Sequence, residues 1–187
     1  MPLIKNEREI SGGDFLKFRD GDSLIKLLSN LYRVDSHYIE SQKTSAICVG
    51  EDKCVLCKRG IRVAPQFYYV VEVQTSGGLK EDGILRLPEP VFYETNNYEK
   101  NMPENESKRN YDWAVNRDSS GDRVVYDTQK GSKIEIDEEL IKINNELLIE
   151  KIGDYENTLK AKYKQLVNSV ARAQEADPSE VSGNIPF

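Results

Sequence analysis

Three cysteines and one histidine, all that the chain contains of either type, fall together as His37, Cys48, Cys54 and Cys57. The spacing is His-x10-Cys-x5-Cys-x2-Cys. Thiolates and a neutral imidazole are zinc donors, and four protein ligands are the usual count where a zinc ion is structural and no position is left for water. The Cys54-Val55-Leu56-Cys57 pair lets two thiolates hold one ion from a tight turn, and Gly60 lets the backbone fold back behind them. An odd number of cysteines is not a disulfide framework. The pattern predicts one structural Zn2+ bound by Cys48, Cys54 and Cys57 with His37 closing the shell. For His37 the alternative is an exposed strand residue that binds nothing.

Two other chemistries use similar residues. A redox CxxC sits between a strand and a helix behind apolar residues, whereas Gly50-Glu51-Asp52-Lys53 and Lys58-Arg59-Gly60 flank this pair like an exposed knuckle. Nucleobase deaminases bind a catalytic zinc through one His and a CxxC pair, with Glu two residues after the His and Pro before the first Cys. Here Glu40 stands three residues after His37 and Lys53 replaces the Pro, while a third cysteine would fill the position of the reacting water. With His37 on the metal no His is left for acid–base or triad chemistry, and no phosphate-cradling Gly loop or nucleophile motif stands out. The chain is expected not to be an enzyme.

The elements that must position these four residues read as short strands. Asp14 to Ser23 predicts a strand turning at Asp20-Gly21, and Leu24 to Val34 a second. Ser36 to Glu40 begins another, which carries His37 into the knuckle. Gln66 to Gln74 is aromatic and β-branched and is the firmest strand, followed by Gly83 to Pro88. A short helix is expected from Pro90 with Val91, Phe92 and Tyr93 facing the core, then a polar, mobile loop from Asn96 to Asn110. Tyr111–Arg117 and Arg123–Thr128 flank a five-residue turn as a hairpin. Strands this dense without intervening helices suggest a mainly β fold, a small closed or nearly closed barrel.

From Asp137 the apolar residues Leu140, Ile143, Leu147, Leu148, Ile152, Tyr155, Leu159, Tyr163, Leu166 and Val170 recur at helical steps, with a break expected between Leu147 and Leu148 near Gly153. The stretch packs on the barrel or pairs with its copy in a homodimer. The organisation expected is a β domain over 1–130 with the knuckle at 37–60, a helical region over 131–175, and an unstructured acidic tail over 176–187.

Composition bounds the class. The chain has 187 residues, 38% apolar and 31% charged, so it is neither fully disordered nor a membrane protein, and a single main domain is the first expectation. No apolar run approaches the ~18–20 residues of a bilayer span, and Met1 to Arg8 lacks a signal-peptide core. A cytoplasmic protein is expected. The net charge of −6 argues against a nucleic-acid partner when taken as one sum. Residues 1–136 hold 20 Lys and Arg against 22 Asp and Glu, leaving 6 against 10 for the remainder. Within the first part, Gln42 to Pro65 is locally +3 through Lys43, Lys53, Lys58, Arg59 and Arg62 against Glu51 and Asp52.

Phe18-Arg19-Asp20-Gly21-Asp22, His37, Cys48…Cys54-Val55-Leu56-Cys57-Lys58-Arg59-Gly60, Phe67 to Val71, Leu87-Pro88 with Val91-Phe92, and Tyr111 to Val115 together resemble one family. It is the tailed-phage helix-destabilising, gene-32-type single-stranded-DNA-binding proteins, and the likeness spans roughly residues 15–130, with the knuckle as its specific part. The resemblance implies an OB-fold-like barrel that binds single-stranded DNA largely without regard to sequence, in replication, recombination or repair. The phage family's basic N-terminal arm is charge-balanced here, Lys5 and Arg8 standing against Glu7 and Glu9. Separately, Ile185-Pro186-Phe187 behind Glu175, Asp177 and Glu180 resembles the tip of bacterial single-stranded-DNA-binding proteins. That likeness implies docking of replication or repair enzymes.

Binding of that kind needs cations along the phosphates and aromatic faces under the bases, each stack contributing roughly 1–3 kcal/mol. The resemblance thus implies Lys43, Lys58, Arg59 and Arg62 for phosphate, with Tyr32, Tyr38, Tyr68 and Arg117 near the groove. Strand alternation puts Phe67, Tyr69, Val71 and Val73 on a core face and Tyr68 on the other, making Tyr68 the leading stacking candidate. Trp113 is assigned to the core beside Val115. A zinc-knuckle module that binds protein and no nucleic acid is the competing expectation, and the overall charge favours it.

Overall fold

Val63–Thr75, strand β5, is the longest strand of the chain and organises the rest. Its aromatic and β-branched residues suit a pleated, buried surface, and Gln66 to Val71 are all buried. In the computed structural model the described residues are 15–176, with side chains to 169. The Ile185-Pro186-Phe187 tip and the N-terminal arm lie outside them. The other strands are β1 (Phe15–Leu16), β2 (Gly21–Leu27), β3 (Tyr32–Ile39), β4 (Thr44–Ile47), β6 (Lys80–Leu87), β7 (Tyr111–Asp118) and β8 (Val125–Lys133). The helices are α1 (Val55–Lys58), α2 (Glu89–Glu99) and α3 (Glu138–Ala176). The fold is mainly β with a long C-terminal helix. No described helix is long and apolar enough to cross a membrane.

The chain divides into two compact units, each assembled from two separate stretches. In the first, residues 1–32 and 67–150, the strand order is β1-β6-β5-β2-β7-β8. β1 runs parallel to β6 and the other neighbours are antiparallel. No pairing joins β1 to β8 among the described residues. Ile25, Leu27, Phe67, Tyr69, Val71, Leu85, Leu87, Val91, Phe92, Trp113 and Val115 form its core. Trp113 is fully buried as expected, and its indole N–H donates to the Lys108 carbonyl at 2.9 Å.

Several expectations change here. Asp20-Gly21 does not close a hairpin: β1 pairs with β6, and Gly21, at φ +95°, starts β2. The single strand expected from Leu24 to Val34 is two, β2 ending at Leu27 and β3 beginning at Tyr32. Helix α2 runs on to Glu99, burying Val91 and Phe92 while Tyr93 stays half exposed. The segment expected to be a mobile loop is pinned. Ser107 and Asn110 form a reciprocal cap on a 3-10 turn, and Lys108 is buried with its ammonium 4.9 Å from the Phe92 ring centre, bonded to Asn96 and 3.6 Å from Glu99. The β7–β8 hairpin forms, with Asp118 opposite Val125.

The second unit comprises residues 33–66 and 151–187. In it β3 pairs antiparallel with β4, Ser36 opposite Ile47 and His37 opposite Ala46, and β3 also pairs with β5. Ile39, Ala46, Cys54, Leu56 and Leu166 form its core, with Cys48, Cys57, Ile61 and Tyr163 packed against it. Helix α3 is continuous through Leu147, Leu148 and Gly153, not broken there. Its buried positions are Ile141, Asn144, Leu148, Ile152, Leu159 and Leu166. Those steps of three, four and seven form one stripe; Ile143, expected inside, is 48% exposed.

Candidate metal centre

Strand alternation places His37. On β3, Val34, Ser36, His37 and Ile39 are buried while Tyr38 is 55% exposed, so the imidazole points inward and the tyrosine outward. His37 itself has no exposed surface. A buried imidazole must satisfy both ring nitrogens. Its Nδ1 lies 3.2 Å from the Arg62 carbonyl oxygen, to which it donates, and that bond fixes the tautomer leaving Nε2 with a free lone pair. Nε2 faces the thiols, 3.3 Å from Cys54 Sγ and 3.4 Å from Cys57 Sγ.

The cysteines arrive from a turn built for them. Cys48 follows β4 and is tied back by its N–H to the Asp35 carbonyl at 2.8 Å. Gly50 then takes φ +98°, a conformation that glycine adopts without steric cost. Its carbonyl accepts from the Lys53 and Cys54 N–H groups, closing the turn. Cys54 precedes α1, Cys57 lies in its last turn, and Gly60, at φ +75°, sends the chain back. Ile61 N–H reaches the Leu56 carbonyl at 3.0 Å and completes the loop. Cys48 Sγ and Cys57 Sγ are 3.6 Å apart.

The four donor atoms lie within 4.8 Å of one another, so this group could hold one metal ion. Tetrahedral bonds of about 2.3 Å to sulfur and about 2.0 Å to nitrogen imply S···S near ~3.8 Å and S···N near ~3.6 Å. Three of the six donor pairs, at 3.6 Å and 3.3–3.4 Å, are within a few tenths of an ångström of that shell. All four sequence-derived ligand candidates are therefore brought together, and the reading of His37 as an exposed strand residue is corrected.

Proton affinities in the metal-free cluster diverge. Burial raises the Cys54 thiol, but N–H donors of Cys57, Val49 and Leu56 outweigh it and hold it lowered to about 7. Burial, with the neighbouring Cys48 and Cys54 sulfurs, pushes Cys57 up to about 12. A thiolate is thus favoured first where backbone amides already point.

The surrounding contacts brace the ligands. Ser36 donates to the Ala64 carbonyl at 3.3 Å and accepts from Gln66 Nε2 at 2.8 Å, locking β3 beside His37. Gln66 Oε1 accepts from the Tyr155 hydroxyl at 3.4 Å. The Tyr163 hydroxyl accepts from the Val55 N–H at 3.1 Å.

The residues expected to contact nucleic acid are scattered. Lys43, Lys58, Arg59, Arg62 and Tyr38 belong to the metal-bearing unit and are exposed. Lys43 stands in the left-handed region at φ 48°. Tyr32, Tyr68 and Arg117 belong to the other unit. Tyr68 is 4% exposed, with Phe15 packed edge-on at 5.9 Å, so the open face expected for it does not exist. Strand β5 lies between β2 and β6 with both faces covered. Arg117 is engaged by Asp20.

Charge divides with the units in a way the linear sequence hides. Residues 33–66 and 151–187 hold eleven Lys and Arg against nine Asp and Glu, a net +2. Residues 1–32 and 67–150 hold 15 against 23, a net −8. Lys151, Lys160, Lys162 and Lys164, counted in sequence with the acidic end, belong with the knuckle. No protein-family model, curated protein or solved structure matches the chain.

Proposed function

We propose that the cluster holds a structural Zn2+ and that the chain is a non-enzymatic single-stranded-DNA-binding protein of replication, recombination or repair. The donor set suits zinc: three soft thiolates and one imidazole fill a tetrahedral shell and leave no open position. When bound, the ion would cross-link β3, the turn after β4 and α1, tying down the segment that bears Lys58, Arg59 and Arg62.

The observation that carries the nucleic-acid reading is the net charge of +2 on the metal-bearing unit in a chain of net charge −6. Counter-ion release gives such a unit its affinity for a phosphate backbone, and an exposed ring such as Tyr38 adds stacking. The second reading, a zinc-knuckle module that binds a protein, draws on the overall acidity. Fluorescence anisotropy with labelled oligo(dT) across a salt series separates the two. Saturable, salt-weakened binding is expected, and no binding at low salt overturns the first reading.

The family resemblance assigns the Ile185-Pro186-Phe187 tip to the recruitment of replication or repair enzymes. Deleting those three residues should abolish pull-down of such enzymes while leaving oligo(dT) affinity intact. Unchanged pull-down overturns the recruiting role.

A further inference from the structure

Helix α3 was expected to pack on the barrel or to pair with its copy, yet one of its faces lines an open groove of the metal-bearing unit. Lys162, Gln165, Leu166 and Ser169 stand at successive steps of three, one and three, which puts them on one helix face. Opposite them are Gln42, at the end of the 3-10 turn Glu40–Gln42, and Thr44, the first residue of β4. These six line a groove of about 460 Å³. That is within the span of ligand clefts, roughly 300–1,000 Å³.

Its chemistry is one-sided. The lining offers an ammonium, two carboxamides and two hydroxyls over a floor of Leu166, with no carboxylate, although the chain has 32 Asp and Glu. Lys162 is exposed and makes no ion pair among the described residues, whereas Lys160, two residues away, is held by Glu156 at 2.7 Å. Lys43 sits between the lining residues Gln42 and Thr44, in a left-handed turn closed by its N–H to the Glu40 carbonyl at 3.1 Å. The Ser169 hydroxyl is turned to the Leu166 carbonyl at 2.8 Å, which leaves an unpaired cation beside the carboxamides of Gln42 and Gln165 and the Thr44 hydroxyl, a set that fits a phosphodiester with its one charge and several acceptor oxygens. A carboxylate at the same rim would repel it.

We infer that the groove of Gln42, Thr44, Lys162, Gln165 and Ser169 binds the phosphate backbone of a single nucleic-acid strand, with Lys162 as its principal cation. This inference rests on the single-strand-binding reading and adds to it a contact that the linear sequence had placed in the acidic C-terminal part. Leu166 is part of the core that packs on Cys54 and Leu56, so the metal-bearing knuckle holds the helix side of the groove in place.

The test is oligo(dT) titration of the full chain over a salt series with three variants. Lys162→Gln should weaken binding severalfold and reduce the slope of log affinity against log salt by about 0.7, the value for one single-strand phosphate. Lys162→Arg should keep both, and Lys160→Gln, on another face, should match the parent. Parent-like unfolding midpoints confirm that the variants are folded. If the parent binds and Lys162→Gln keeps its slope, or Lys160→Gln loses as much, the groove assignment is overturned and the general reading stands. If the parent shows no saturable binding at low salt, the general reading itself fails, and the groove assignment with it.

Discussion

The Tyr163 hydroxyl accepts a hydrogen bond from the Val55 backbone N–H at 3.1 Å, joining helix α3 to the first turn of the metal-ligand helix across 108 residues of sequence. Val55 opens α1, where an N–H has no partner within the helix. The tyrosine supplies that partner directly between the two cysteines of the CxxC pair and Leu166, which packs in the same cluster. The long helix is therefore part of the metal centre's scaffold.

Tyr163→Phe should keep the ring in the core and leave the Val55 N–H unpaired. A buried donor without an acceptor costs ~1–3 kcal/mol, and partners outside the ligand set commonly change metal affinity ~10–100-fold. Competition against a chromophoric chelator should show weaker Zn2+ binding at unchanged stoichiometry. Affinity equal to the parent's would refute the bracing role.

Removal of the metal should loosen the second unit before the first. Without the ion, the pocket retains three thiols, one pushed up to about 12 and one held down to about 7. Its covalent cross-link is gone. Metal binding to such sites is itself folding free energy. Elemental analysis should find about one zinc per chain, and chelation should raise amide hydrogen exchange in residues 33–66 and 151–169 ahead of residues 67–136. Uniform loss of protection would contradict two separately held units.

The metal site was legible because its signal is local: spacing within 21 residues and glycines at the turns specify it. Strand β5 and the β7–β8 hairpin were legible for the same reason, each carrying its own composition and turn. What failed needed distant partners. Tyr68 follows the alternation that marks a half-buried strand, but Phe15 from β1 covers the second face. Asp20-Gly21 has hairpin chemistry, yet β1 finds β6 instead. Lys162 lies in a stretch whose sum is acidic, and only the fold of the second unit sets it opposite Gln42 and Thr44.

Asp82 offers a pH signature in the first unit. Burial, then the Glu72 carboxylate directly opposite on β5, raise its carboxyl above the ordinary value, with Lys26 and Lys80 opposing. A raised folded value means that the folded chain holds the proton more tightly than the unfolded one. The stability this contributes is complete below the ordinary carboxylate range and lost as pH rises through the folded value. Asp82→Asn should then raise the unfolding free energy at pH 7 by about 0.2–1 kcal/mol, toward the low end because the group is partly exposed. Denaturant titrations should show that gain fading as pH falls through the raised folded value and gone below about 4. A gain independent of pH would reject the electrostatic cause.

Tyr69 is 1% exposed and its hydroxyl has no hydrogen-bond partner among the described residues. Burial pushes that phenol well above its usual range. A buried hydroxyl left unpaired costs ~1–3 kcal/mol, so Tyr69→Phe should stabilise the first unit while keeping the ring in the core. A lowered denaturation midpoint would show instead that the hydroxyl has a water partner worth more than its burial costs.

Gly131 is constrained by its neighbour across the β7–β8 ladder. β7 carries a register shift between Tyr111 and Trp113, and the Asp112 carboxylate is directed back to accept the Ser132 N–H at 2.5 Å. A methyl group at position 131 would run into that carboxylate and sit 3.2 Å from the Asp112 carbonyl oxygen. The carboxylate cannot swing aside without giving up Ser132, and Asp112 is 9% exposed, so little water replaces the bond. Overpacking of this kind typically costs ~1–3 kcal/mol. Gly131→Ala should therefore lower the unfolding midpoint, and adding Asp112→Ala should return part of the loss by removing the obstruction. Strictly additive losses in the double variant would show that the two residues do not collide.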